Sequence, residues 1–197
     1  MNDKASKELL NVLALNCHAS KDELLAQCKD LIAAGADVNI ADKAGWCPLL
    51  NAAYLREVAV MAALLDGGAN INITNRAVGS ALHVAAMLDD VAMAEFLLAR
   101  GACPDVRSAK GITPLMQAVW MGNEDMISVL LREGADMHIH DLSDNSAVRF
   151  ARPAQRGAIS AWFREEEDRR LARPFKEAAA RGTRRTPQDF TPCVKVA

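Results

Sequence analysis

The chain has 197 residues, 51% apolar and 24% charged, with a formal net charge of −2, so it can bury a core and disorder is not its default. Its charge is unevenly distributed: residues 1–148 carry 11 Lys+Arg against 19 Asp+Glu, whereas residues 149–197 carry 12 against 6. An acidic body disfavours contact with a phosphate backbone, so nucleic acid is excluded as a partner for all but the basic end.

The opening MNDKASKELLN has no long apolar stretch, and no apolar run approaches a membrane span. No membrane partner is expected, and the chain reads as cytoplasmic. Residues 5–18 and 21–34 are predicted as a helical pair, the first dense in Leu9, Leu10, Val12, Leu13 and Leu15. Ser20 ahead of Asp22 and Glu23 signals the start of the second helix. The first helix has no Thr-Pro start and reads as a terminal cap.

The second unit runs from Asp42 to Thr74, with helices predicted over Pro48–Leu55 and Val58–Asp66. Pro48 suits a first helical residue, and Gly67-Gly68 after Leu64-Leu65 suits a left-handed stop. Ala81 replaces the proline in the third unit, Asn75–Arg107; the fourth, Ser108–His140, has Thr113-Pro114 and alone places a glycine, Gly122, between its helices. Arg56 and Asp89 hold the equivalent positions, where a left-handed backbone carries a steric penalty, so those two turns are expected to be rearranged or less stable. The fifth unit starts at Asp141 and decays. Asp144 replaces a turn glycine, Pro153 should shorten or kink the first helix, and Ala158–Leu171, with Ile159, Trp162 and Phe163 on one edge, should close the stack.

Beyond it, residues 174–197 read as a basic, flexible tail, rich in Arg, Thr and Pro, with little to bury. The five cysteines, Cys17, Cys28, Cys47, Cys103 and Cys193, are odd in number and lack a Cys-x-x-Cys pair, so they are read as reduced thiols with no redox or metal role. His138 and His140 lie two apart without a third ligand at metal-binding spacing, and Cys17-His18 is not a nucleophile and base by adjacency alone. No phosphate loop, nucleophile or metal cluster is found, and neither cofactor nor enzyme activity is expected.

These units keep one phase. Gly35-Ala36, Gly68-Ala69, Gly101-Ala102 and Gly134-Ala135 follow at 33-residue intervals, as do Leu31-Ile32, Leu64-Leu65, Leu97-Leu98 and Leu130-Leu131. Cys47-Pro48-Leu49, Ser80-Ala81-Leu82, Thr113-Pro114-Leu115 and Ser146-Ala147-Val148 keep the same step, with Ala52, Ala85, Ala118 and Ala151 three residues after each. Over residues 20–163 the pattern resembles the ankyrin repeat family. That resemblance implies an all-α solenoid of about five helix-turn-helix units with short β-hairpin-like turns and atypical capping ends. The repeat domain would be 1–173, in units 5–41, 42–74, 75–107, 108–140 and 141–173.

In the family, the histidine matched by His83 ties its turn to the neighbouring repeat, which makes His83 structural. The turn tips and outer faces of the first helices line a concave surface that chooses protein partners. Carried over by phase, that surface takes Tyr54, Leu55, Met87, Leu88, Trp120 and Met121 from the helices and Trp46 and Ile112 from the turns, with Lys43, Arg76 and Lys110 near the tips. Exposed apolar residues are an association liability unless they serve an interface, where aromatics and Met are enriched. The same side chains can instead pack between adjacent first helices, and Leu55, Leu88 and Met121 are the most open to that reading. The resemblance implies a non-enzymatic module that sequesters, inhibits or scaffolds one protein partner, working as a monomer, with a dimer through the apolar ladder as the alternative. A toxin's immunity partner and a secreted effector or regulatory adaptor are the other readings it allows.

Overall fold

The computed structural model describes residues 3–15, 20–151, 157, 159–166 and 168. Helices alternate along it: α1 (Asp3–Leu15), α2 (Lys21–Ala33), α3 (Pro48–Tyr54), α4 (Val58–Asp66), α5 (Ala81–Leu88), α6 (Val91–Ala99), α7 (Pro114–Met121), α8 (Glu124–Arg132) and the short α9 (Ala147–Phe150). Helical backbone resumes over 159–166. The odd-numbered helices pack in one row, α1 on α3, α3 on α5, α5 on α7 and α7 on α9; behind it α2 meets α4 and α6 meets α8. Each unit therefore buries its apolar face on its neighbours.

Local chemistry explains the repeated markers. Pro48 and Pro114 open α3 and α7, where the missing N–H costs no hydrogen bond. Thr113 Oγ1 accepts from the Met116 N–H at 3.3 Å, and Ser20 Oγ accepts from the Glu23 N–H at the same distance. At the other end, Gly68 turns left-handed (φ 90°), and the Ala69 N–H returns to the Leu64 carbonyl at 2.9 Å. The same closure joins Ala36 to Leu31, Ala102 to Leu97 and Ala135 to Leu130, at 3.1, 3.0 and 2.9 Å. The Gly-Ala and Leu markers are thus the two halves of one helix stop.

Between units the chain folds into narrow hairpins. Asp42, Asn75, Ser108 and Asp141 each donate a backbone N–H to the carbonyl four residues on, at Trp46, Gly79, Ile112 and Asn145. Their side chains fill the loop: Asp42 Oδ1 accepts from Ala44 and Trp46, and Asp141 Oδ1 from Ser143 and Asn145, all at 2.8 Å. A second ladder joins units that have already left the helix. Asn39 Oδ1 accepts from the Asn70 N–H, Asn72 Oδ1 from Cys103 and Asp105 Oδ1 from Asp136, at 2.7, 2.8 and 2.8 Å. These acceptors recur every 33 residues, a signal not drawn from the sequence.

One core runs through the stack, from Leu9 and Leu13 through Leu49, Leu82 and Leu115 to Ile159 and Phe163. Ile159 and Phe163 join this core from the helical segment 159–166, with Trp162 half-buried against it. Cys28 and Cys47 are buried free thiols, and desolvation pushes Cys28 up to about 11, which makes it inert. Cys17-His18, Pro153, Leu171, Cys193 and the tail lie outside the described residues.

The interhelical turns are not rearranged, which leaves lower stability as the surviving half of the expectation for them. Arg56 (φ 59°) and Asp89 (φ 53°) keep the left-handed conformation of Gly122 (φ 81°) rather than rearranging, and in the fifth hairpin Asp144 (φ 61°) keeps that of the turn glycine Gly111 (φ 76°). At Arg56 the side chain offsets the strain: Nη2 donates to the Leu88 carbonyl at 2.6 Å, and Nη1 lies 3.8 Å from Asp90 Oδ2.

Candidate protein-interaction face

The first-helix row and its hairpins carry every residue singled out from the sequence for binding, and the structure divides them in two. Tyr54 ends α3, and Trp120 and Met121 end α7; they are 54%, 57% and 39% exposed. Among the described residues, they and Leu142 are the large apolar side chains left most open. Lys43, Arg76 and Lys110, in the hairpins, are exposed as well. Trp46, Leu55, Met87, Leu88 and Ile112 are half-buried, and Trp46, Leu88 and Ile112 pack against the core. The competing packing role therefore holds for part of the ladder, but not for Met121.

Two aromatic pairs bracket the face. Trp46 leans from its hairpin onto Tyr54, with ring centroids 5.9 Å apart at 84°. Trp120 meets Phe150 of α9 at 6.0 Å and 62°, an edge-to-face contact across two units. Met87 occupies the step between Tyr54 and Trp120, on α5 between α3 and α7. Neither Phe150 nor Leu142 was anticipated. Leu142 has the phase of Lys43 and Arg76, so the 33-residue register would have placed it at a hairpin tip.

His83 holds this face in register and takes no part in chemistry. Its Nδ1 lies 3.2 Å from the Ser80 N–H nitrogen, a group that only donates, and 2.9 Å from Ser80 Oγ. Nδ1 therefore accepts, and the proton sits on Nε2, which donates to the Ile112 carbonyl at 2.8 Å. Burial drives its pKa down to about 4, against a smaller opposing effect of the Ile112 carbonyl. A bond from α5 to the next hairpin is the tie that the family resemblance implied.

Sequence comparison with family models agrees with this architecture: ankyrin repeats, in three copies, match residues 15–108 and 69–141. The chain belongs to the ankyrin repeat family. Among curated proteins none matches it. Ankyrin repeats generally mediate protein–protein interaction, and the family is typically a non-enzymatic binding module.

The rest of the ankyrin array has little that resembles a reaction centre. A cleft of about 310 Å³ at the junction of the fourth and fifth units is lined by Met137, His138, His140, Ser146, Phe163 and Arg164, among others. Among the described residues it is lined by no paired carboxylates, and no three His, Cys, Asp or Glu side chains come together as metal ligands. Also among the described residues, no helix is long and apolar enough to cross a membrane.

Proposed function

We propose that this ankyrin array is a cytoplasmic, monomeric module that sequesters or inhibits one protein partner through the concave face of its first-helix row. The exposed ladder carries that reading: Tyr54, Trp120 and Met121 stay open to solvent at equivalent or adjacent positions, although the stack does not need them there. Aromatic and Met side chains on a rigid support suit interface hot spots, each worth roughly 2 kcal/mol or more when a partner buries it. The rigid support lowers the ordering cost of binding.

Affinity capture from the native source with wild type and Trp120→Ala in parallel tests the proposal. One protein retained by wild type and released by the variant, protecting Tyr54 and Trp120 from oxidative footprinting, is the expected outcome. A protein retained equally by both, with its footprint on the second helices, contradicts it.

A further inference from the structure

Building on the reading of this face as a binding surface, we infer that its partner presents acidic side chains interleaved with apolar ones, set against the second to fourth units. Charge placement carries the inference. On the second helices and their turns, cations are matched across units: Lys21 with Glu57 at 3.0 Å, Arg100 with Asp66 at 2.7 Å and Arg132 with Glu95 at 2.8 Å. The hairpin side differs. Lys43, Arg76 and Lys110 are exposed and make no ion pair among the described residues.

Acids near the ends of this row are held by backbone N–H groups. Asp42, next to Lys43, accepts those of Ala44 and Trp46 in its own loop, and Asp105, five residues before Lys110, accepts that of Asp136. The basic row ends at the fifth unit, where Leu142 and Asp144 hold the tip. A partner would therefore meet a basic side chain on each of the three units that carry Tyr54, Met87 and Trp120, and Leu142 with Asp144 at the fifth.

Charge also decides between occupants. Residues 174–197 contain five Lys or Arg against two Asp or Glu, so this tail is repelled by the basic tips. A second copy would set Lys43, Arg76 and Lys110 against an identical basic row in a two-fold contact through this face. An acidic partner relieves both conflicts, and its attraction weakens as salt screens it.

Selection of a random peptide library on the full chain tests the inference. Selected peptides should be enriched in Asp and Glu around apolar residues, lose about tenfold in affinity for a Lys43→Glu, Arg76→Glu, Lys110→Glu variant, and weaken with ionic strength. The three side chains make no ion pair among the described residues, so that variant should keep its thermal midpoint. Neutral or basic peptides, equal binding by the charge-reversed variant, or a salt-insensitive dimer broken by Trp120→Ala would overturn it. Peptides that lose Trp120→Ala binding without acidic enrichment would overturn the charge inference alone. Peptides indifferent to both Trp120→Ala and Tyr54→Ala, or no peptides at all, would overturn the binding face with it.

Discussion

The His83 imidazole donates from Nε2 to the Ile112 carbonyl at 2.8 Å, joining a helix in the third unit to the hairpin of the fourth. The ring is 2% exposed and neutral in the fold. Its pKa is about 4 against an ordinary 6.5, so the unfolded chain binds the proton more readily. The resulting stability is fully present above pH 6.5 and lost as pH falls toward 4. The loss should reach about 3 kcal/mol, read from urea midpoints across that window, and His83→Ala should remove this part of the pH dependence.

Gly79 sits against the same ring. A Cβ there would lie 2.8 Å from His83 Cγ, on a backbone already at φ 81°. Gly68 has a similar φ of 90°, but a Cβ there would meet nothing within 4 Å. Gly68→Ala should therefore cost about 1–2 kcal/mol of backbone strain. Gly79→Ala should cost roughly 2–4 kcal/mol, because overpacking against the ring adds to that strain. Equal costs in chemical denaturation would contradict the close approach.

At Arg56, strain and bonding oppose one another. Arg56→Ala removes the 2.6 Å bond to the Leu88 carbonyl and keeps an L-residue at φ 59°. Arg56→Gly removes the same bond and relieves the backbone. The alanine variant should be the less stable by about 1 kcal/mol, and hydrogen exchange should show the loss first in the α5 to α6 turn.

The fold was legible because each repeated marker has a local mechanical role. Gly68-Ala69 with Leu64 closes a helix, and Thr113-Pro114 opens one, so phase alone located both ends. The Arg56 turn was expected to rearrange because the left-handed cost was weighed without the bonds that offset it. Those bonds, to Leu88 and Asp90, reach from one unit to the next and leave no trace in adjacent residues. At the face, Tyr54 and Trp120 could be placed by phase, since the two positions are equivalent. Trp46 and Ile112 could not be ranked in the same way: their burial depends on how each hairpin folds onto its helix. Leu142 keeps the phase of Lys43 and Arg76 and was missed only because the register was not carried into the fifth hairpin. Phe150 escaped because α9 turns it toward Trp120 rather than along the ladder.

Trp120→Ala separates binding from folding. The indole is 57% exposed, and its closest aromatic contact is the edge of Phe150, so the variant should lose about 1 kcal/mol of stability or less. The most direct measurement is the affinity of the captured partner for wild type and for Trp120→Ala, taken with the thermal midpoint of each. A loss of at least tenfold in affinity with a nearly unchanged midpoint is the expected result. Unchanged affinity, or a binding loss that only tracks unfolding, would contradict a role for the exposed ladder in recognition.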